Sequence, residues 1–337
     1  MLSAPGRFTI REIPAPEPVR KDHVLIHVKS VGICGSDLHY FRSGTIGDQQ
    51  VSFPFVIGHE CTGVIGETGK AVASVRTGDR ITVDPAISCG TCDQCLAGRF
   101  HTCRCLQFLG CPGQMHGALA EGLVMPESCC YVLPERLQNE VAVFAEPMSV
   151  ALQAWQMLAG CELNTMGILG AGPIGISVFL VSQLTGSVRV FVTDKVDARL
   201  ASARSLGAHG TANPDKVDIV RAAGEELDAV FECCGQEEAI HQAAQLLKPG
   251  GHLVIAGIPE SRKIGMDPHL FRRKEIHIHH VRRQNGKLRE AIDICLEQQE
   301  QIRPLITHRF PLDDVQQAFE LTGDYRDSVM KTVIDCQ

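Results

Sequence analysis

The sequence predicts an α/β protein of two domains, one rich in β-strands and one built on a doubly wound parallel sheet. Up to about residue 150 the chain is rich in Gly, Pro and short β-branched runs, which is typical of short strands. From residue 151 onward, predicted strands alternate with predicted helices. A length of 337 residues also exceeds what one ordinary core holds. We therefore expect one domain at 1–150 together with 285–337, and a second at 151–284.

The elements follow from hydrophobic runs and from the residues that interrupt them. In the first part, Val24–Val28 and Arg80–Val83 predict strands. Strands are predicted in the second part at Met166–Leu169, Val188–Thr193, Leu227–Cys233, His252–Ala256 and Glu275–Val281, and helices at Pro173–Leu184, Ala198–Leu206 and Glu237–Leu247. This alternation predicts parallel pairing through right-handed crossovers. The tail predicts one more helix and a strand around His308–Pro311, and we expect it to return to the first domain.

Composition narrows the function classes. A formal net charge of −7 argues against a protein that follows nucleic-acid phosphates. The chain has neither a secretory-type start nor a run of roughly 18 uncharged apolar residues, so we expect no export signal and no membrane partner. In that setting the 15 cysteines are interpreted as reduced thiols and metal ligands. We therefore expect a cytoplasmic protein.

Four cysteines stand in the spacing C-x2-C-x2-C-x7-C, namely Cys89, Cys92, Cys95 and Cys103. They lie in a polar loop at about 88–105 that has too few apolar residues to form a core. Four thiolates complete a tetrahedral zinc shell with no open position, which orders structure and performs no chemistry. Four unconnected thiols, a disulfide pair and an iron–sulfur cluster are the weaker alternatives.

A glycine-rich turn indicates a dinucleotide site. The run Gly170-Ala171-Gly172-Pro173-Ile174-Gly175 follows a predicted strand and opens a predicted helix, and Asp194 ends the next strand. Glycines let the backbone approach a pyrophosphate at a helix N-terminus. The Asp194 carboxylate can accept hydrogen bonds from the ribose hydroxyls and would repel a 2′-phosphate. This favours NAD over NADP, although Arg199 lies nearby. The alternative is an ordinary strand–turn–helix corner.

Cys34, His59 and Glu60 form a looser second metal set. One thiol, one imidazole and one carboxylate, with a position left for water, make a catalytic type of zinc shell. His59 and Glu60 do not begin an H-E-x-x-H motif, because residue 63 is glycine. On spacing alone, a buried structural cysteine and a core histidine are equally good interpretations.

Taken together, these segments resemble the zinc-dependent medium-chain dehydrogenase/reductase family, specifically its polyol (sorbitol dehydrogenase-like) branch. The resemblance covers nearly the whole chain. It includes Gly32–Tyr40, Gly58–Glu60, Gly78–Arg80, the four-cysteine loop, Glu146-Pro147, the glycine run and Thr307–Leu312.

The resemblance implies a GroES-like catalytic domain and a Rossmann NAD-binding domain. It implies one structural zinc, and one catalytic zinc held by Cys34, His59 and Glu60, with Glu146 approaching directly or through water. Asp37 would orient a ligand. The implied activity is oxidation of a secondary hydroxyl of a polyol or sugar acid to the ketone, with zinc as Lewis acid and NAD as hydride acceptor. A homodimer or homotetramer is the family expectation.

Further roles are also implied by the resemblance. Ser36 and His39 match a proton relay, and Tyr40 matches a segment of the polyol pocket. Arg282 and Arg283 stand where polyol enzymes commonly have a single arginine. A guanidinium facing the substrate would favour a carboxylate or phosphate, so an anionic polyol is one interpretation, and one pocket arginine beside one solvated arginine is the other.

Three histidines, His277, His279 and His280, resemble a metal site, but they fall on the strand that the family uses for subunit pairing, so an interface role is favoured.

Two other functions remain open. One is a zinc dehydrogenase of an amino alcohol such as threonine, or of a small secondary alcohol. The other is a non-catalytic, zinc-stabilised protein that senses the nucleotide.

Overall fold

The structure is a computed structural model that describes residues 1–14, 16, 20–186 and 188–336. The chain divides into two compact units. One comprises Met1–Glu146 and Leu288–Gln337, and the other comprises Pro147–Lys287. The C-terminal tail therefore folds with the N-terminal part of the chain.

The strands are, in chain order, β1 Leu2–Ala4, β2 Arg7–Phe8, β3 His23–Gly32, β4 Thr45–Ile46, β5 Gln49–Gln50, β6 Glu60–Thr68, β7 Arg80–Val83, β8 Ala86–Ile87, β9 Gln107–Phe108, β10 Gly122–Pro126, β11 Cys130–Val132, β12 Thr165–Leu169, β13 Arg189–Thr193, β14 Gly210–Ala212, β15 Leu227–Glu232, β16 Leu247–Ile255, β17 His277–His280, β18 Ile306–Pro311 and β19 Lys331–Asp335.

The α-helices are α1 Gly35–Ser43, α2 Asp93–Leu96, α3 Asn139–Ala142, α4 Ala145–Gln156, α5 Pro173–Ser182, α6 Asp197–Ser205, α7 Ile219–Ala223, α8 Glu237–Leu246, α9 Pro268–Lys274, α10 Leu288–Glu297, α11 Gln299–Ile302 and α12 Val315–Gly323. Short 3₁₀ turns lie at Phe100–Thr102, Glu127–Cys129, Arg303–Leu305, Leu312–Asp314 and Arg326–Ser328. Among the residues described, no helix combines the length and the apolar character that crossing a bilayer requires.

A mixed sheet forms the centre of the first unit. Its strand order is β11-β7-β6-β3-β19-β18, and β10 also pairs with β3. Along β3, Val24, Ile26 and Val28 are fully buried, which is the period of two expected of a strand with one face in the core. Strand β19 lies between β3 and β18, and this position brings residues from the end of the chain beside β3.

The second unit contains a six-stranded parallel sheet in the order β14-β13-β12-β15-β16-β17. All five residues of β12 are buried, as expected of a central parallel strand covered on both faces. The strand order reverses direction on either side of β12. In such sheets ligands bind beyond the carboxyl ends of the strands at this reversal. The doubly wound α/β fold predicted from the alternating pattern is thus confirmed.

Several short elements, among them β14, α7 and α9, were not predicted, and two further details differ from the prediction. The tail contains three α-helices, α10, α11 and α12, rather than one. Helix α12 is held by aromatic packing of Phe319 against Phe8 and Phe41, with ring centroids 4.7 and 5.4 Å apart, and a sequence pattern does not reveal such a long-range contact. Strand β16 starts at Leu247 instead of His252, because residues 248–251 form a bulge between the Leu227–Leu247 and Ala229–His252 pairs.

Candidate active site

The predicted ligands Cys34, His59 and Glu60 converge in the first unit. Their sulfur, nitrogen and oxygen ligand atoms all lie within 4.8 Å of one another. Cys34 is the residue that caps helix α1, and Glu60 begins β6 directly after His59. His59 and Glu60 are buried, with 6% and 1% of their surfaces exposed. One thiol, one imidazole and one carboxylate in this arrangement fit a zinc ion that keeps a position open.

Asp37 fixes the orientation of this set. Its carboxylate is 1% exposed and accepts hydrogen bonds from the backbone N–H groups of Cys34 at 3.2 Å and Gly58 at 3.1 Å. His59 Nδ1 lies 3.5 Å from Asp37 Oδ1. An imidazole whose Nδ1 faces a carboxylate presents its other nitrogen to a metal. Burial opposes a charged His59 ring, but Asp37 and Cys34 outweigh it and raise its pKa well above the usual value.

Lys331 is a part of this site that the sequence reasoning missed. Its ammonium group forms an ion pair with Glu60 and donates a hydrogen bond to the Ile33 carbonyl oxygen at 3.1 Å. It also lies 5.8 Å from the centre of the Phe144 ring. The Lys331 side chain is 0% exposed. The available signal was a lysine within the mainly apolar run Val329–Ile334, since a buried lysine requires a partner.

Glu146 lies in the first turn of α4 and is buried. Burial is the main reason that its pKa rises to about 7, with Glu60 and Asp84 raising it further while His59 and Lys331 lower it. A carboxyl group with such a pKa can exchange protons near neutral pH. Glu146 is not among the three converging ligands, so direct coordination stays a prediction.

Ser36 and His39 are three residues apart on α1, and both are half-buried. Residues three apart on a helix are neighbours on one face, which suits a relay. The Tyr40 ring is 5% exposed, and its hydroxyl donates to Gln49 Oε1 at 2.9 Å. Tyr40 therefore anchors the β4–β5 hairpin, and its role toward substrate stays a prediction.

The four cysteines of the polar loop also come together. Sulfur–sulfur distances are 3.6 Å for Cys92–Cys95, 3.9 Å for Cys92–Cys103 and 4.0 Å for Cys89–Cys95. Four sulfurs in a tetrahedron around zinc are about 3.8 Å apart, given zinc–sulfur bonds of about 2.3 Å. The larger apolar side chains of this loop, Leu96 and Phe100, are 78% and 47% exposed, so they contribute little packing to it. These observations fit a structural zinc.

Electrostatics acts unevenly on the four thiols, because burial and then contacts with Cys92 and Cys103 raise the pKa of Cys95 to about 12, whereas the pKa values of two others are lowered. Backbone and side-chain hydrogen bonds from Thr91 lower the pKa of Cys89 to about 5. A backbone hydrogen bond from Arg104 lowers the pKa of Cys92. Thiolates are the form that binds metal. The loop is further clamped by an ion pair between Arg104 and Asp93, with a 2.8 Å contact from Nη2 to Oδ2.

In the second unit, the glycine run forms the turn between β12 and α5. Gly170 has φ +99°, which favours glycine, and a Cβ at Gly175 would overlap the Gly170 carbonyl oxygen. Gly172 caps the N-terminus of α5, Pro173 is its first residue, and Ile174 follows on the half-buried side of the turn. The turn therefore has the close packing and the exposed helix start that a pyrophosphate group needs.

Asp194 lies at the end of β13 beside this turn. Its Oδ2 accepts a hydrogen bond from Ala171 N at 2.8 Å, and its Oδ1 accepts one from Val196 N at 2.7 Å. Arg199 Nη1 lies 4.0 Å from Asp194 Oδ2. Each carboxylate oxygen can accept a second hydrogen bond, so Asp194 remains able to bind ribose hydroxyls.

The two arginines singled out in the sequence also belong to the second unit. Arg282 is exposed, whereas Arg283 is half-buried and has a left-handed backbone with φ +55°. Their contact with a substrate stays a prediction.

Two models of known protein families match most of the chain. Residues 20–135 match the model of the alcohol dehydrogenase GroES-like domain, and residues 173–297 match that of the zinc-binding dehydrogenases. The chain belongs to the zinc-binding alcohol dehydrogenase family. The predicted family, the GroES-like and Rossmann-type fold, and the enzyme class are therefore confirmed.

Several members of this dehydrogenase family are similar over most of their length. The chain is 31% identical to a sorbitol dehydrogenase of Bacillus subtilis, covering 96% of this chain and 93% of that protein. It is 33% identical to an L-idonate 5-dehydrogenase of Vitis vinifera, covering 89% and 84%. A solved structure from Sinorhizobium meliloti, described as a zinc-binding dehydrogenase bound to NADP, is 29% identical with a TM-score of 0.88, covering 99% and 98%.

Proposed function

We propose that this dehydrogenase oxidises a secondary hydroxyl of a polyol or sugar acid to the ketone, reversibly, with NAD as the hydride acceptor. The observation that carries the proposal is the convergence of Cys34, His59 and Glu60 within 4.8 Å. We further propose two zinc ions per chain, the second in the cysteine quartet. The similar sorbitol and L-idonate dehydrogenases support this substrate class.

A zinc ion at the converging set would supply a Lewis acid that makes a substrate hydroxyl more acidic. The chain's own residues then have separate tasks. Asp37 keeps the His59 ring in one orientation, and Lys331 neutralises and orients the Glu60 carboxylate. We propose that Glu146, whose pKa is raised to about 7 chiefly by burial, accepts the hydroxyl proton. Ser36 and His39 offer a second route for that proton.

The cofactor preference rests on Asp194. A carboxylate accepts hydrogen bonds from both ribose hydroxyls of NAD and repels the 2′-phosphate of NADP. Because a similar structure holds NADP, both cofactors belong in the assay. We expect a higher kcat/KM with NAD, and we expect Asp194→Ala to narrow the difference by lowering kcat/KM for NAD more than for NADP. A preference for NADP in the unmodified protein would contradict this assignment.

The substrate is best sought among neutral polyols and aldonates, with the appearance of reduced cofactor followed by absorbance. Arg282→Ala and Arg283→Ala form a matched pair, because one side chain is exposed and the other is half-buried. If the substrate is anionic, one variant raises KM for aldonates and leaves neutral polyols unchanged. No oxidation of any polyol or aldonate by the zinc-loaded protein would overturn the proposed function.

The edge of the parallel sheet and the state of the cysteines support proposals about assembly and location. Strand β17 is the last strand in the order of its sheet, and a second copy could continue that sheet. We therefore propose a homodimer or homotetramer, to be tested by sedimentation. A reducing cytoplasm suits a chain whose described cysteines are all free thiols.

A further inference from the structure

Three imidazoles and one thiol come together in the second unit, and none of them belongs to the zinc or cofactor sites described above. The parallel pairing of β16 and β17 places His252 opposite His277 and Val254 opposite His279. Because side chains alternate along a strand, His252, His277 and His279 share one face of the sheet, and His280 points to the other. The sequence revealed only the histidines of β17, since His252 is 25 residues earlier in the chain.

The contacts within this group are short. His252 Nδ1 lies 3.1 Å from His279 Nε2, and the ring of His277 stacks on that of His252 with centroids 4.9 Å apart. On its other side, His252 Nε2 lies 3.5 Å from Cys161 Sγ. Two ring nitrogens in a tetrahedral zinc shell are about 3.3 Å apart, given zinc–nitrogen bonds of about 2.0–2.1 Å. The His252–His279 pair therefore already has the spacing of two metal ligands.

Two of the rings have a lowered pKa, which favours their neutral form. Burial lowers the pKa of His252 and of His279, and the neighbouring His277 lowers both further. A neutral imidazole binds metal through its unprotonated nitrogen. The facing nitrogens, His252 Nδ1 and His279 Nε2, lie at hydrogen-bond distance, so a cation between them would replace that contact after a small rotation of the rings. Cys161 is then left to accept the Nε2–H of His252, as a supporting group commonly does.

We propose that His252, His277 and His279 form a binding site for a divalent transition-metal ion, with Cys161 holding the His252 ring. His277 joins the other two ligands by rotating its exposed side chain away from the stack. Three imidazoles and a water suit zinc, copper or nickel rather than magnesium or calcium. Pairing of β17 with a second copy would use backbone groups in the plane of the sheet, whereas these rings stand out of that plane.

The test uses zinc-loaded protein with both proposed zinc sites filled, titrated with Zn²⁺ in a calorimeter. We expect one further equivalent to bind, and we expect its affinity to fall at least tenfold in His279→Ala. The matched control is His280→Ala, which removes a histidine from the same strand but from the opposite face, and it should bind Zn²⁺ like the unmodified protein. Cys161→Ala, which removes the group that accepts the His252 Nε2–H, should weaken binding about 10-fold or more without abolishing it.

A second variant keeps the test valid if His279→Ala does not fold. The His277 ring is exposed, so His277→Ala should fold normally and still weaken the additional binding. The proposal is overturned if no further equivalent binds, or if His280→Ala lowers the affinity as much as His279→Ala does. Because this site lies outside the proposed catalytic set, loss of the additional zinc should leave dehydrogenase activity in place.

Discussion

Replacement of Lys331 by methionine tests the electrostatics of the site most sharply. Methionine keeps most of the side-chain length but removes the ammonium group that pairs with Glu60. The two side chains are 0% and 2% exposed, so the carboxylate would remain buried beside Cys34 and Glu146 without its counter-charge. Removing one partner of a buried ion pair costs about 3–5 kcal/mol. We expect Lys331→Met to lower the free energy of unfolding by that amount.

The assay is urea unfolding followed by circular dichroism, in chelator and again with excess zinc. The loss should be larger in chelator, because a cation bound at the converging set would supply part of the missing charge. Glu60→Gln combined with Lys331→Met should recover part of the loss, since neither charge then remains. The matched control is Lys195→Met, which breaks an exposed pair with Asp215 and should cost under about 1 kcal/mol. An equally small cost for Lys331→Met would contradict the claim that the buried Lys331–Glu60 ion pair stabilises the fold.

Three further predictions follow from the described contacts. Cys95→Ser should remove one zinc per chain, measured by elemental analysis, and should expose the 88–105 loop to protease, whereas Cys105→Ser, outside the quartet, should change neither. Asp37→Asn should weaken the hold on His59 and lower kcat/KM or zinc affinity about 10–100-fold, and an effect below twofold would contradict that role. Asp228→Asn should cost about 2–3 kcal/mol at pH 7, because the carboxylate accepts backbone hydrogen bonds at 2.7 and 2.8 Å and pairs with Lys248. Burial raises the pKa of Asp228, but those partners outweigh burial and hold the pKa below its usual value. Its stabilisation is therefore present above the unfolded-state pKa and is lost as pH falls through the folded-state pKa. The free energies of unfolding of Asp228→Asn and the unmodified protein, measured in urea, should therefore converge in acid. A difference between them that is independent of pH would contradict a stabilising role for the ionised carboxylate.

The sequence predicted best those features whose parts are close together along the chain. The glycine run, the helix it opens and Asp194 lie within one strand–helix–strand unit, so spacing alone defined their geometry. The cysteine quartet spans 15 residues, and metal-ligand spacing is a local property. The strands and helices of the parallel-sheet unit followed from hydrophobic period in the same way.

Long-range contacts were beyond that reasoning. Lys331 is 271 residues from Glu60 in sequence, and they meet only because β19 pairs with β3. The group around His252 depends on the register of β16 against β17, which no local pattern specifies. Buried charges and clustered imidazoles thus became visible only when strand order and register were known.

The most direct test of the proposed function is anomalous X-ray diffraction at the zinc edge on crystals of metal-loaded protein. We expect a zinc ion bound by Cys34 Sγ, an imidazole nitrogen of His59 and a carboxylate oxygen of Glu60, with one position held by solvent or substrate. The absence of zinc among these three residues, or a fourth side chain occupying that position in every state, would contradict it.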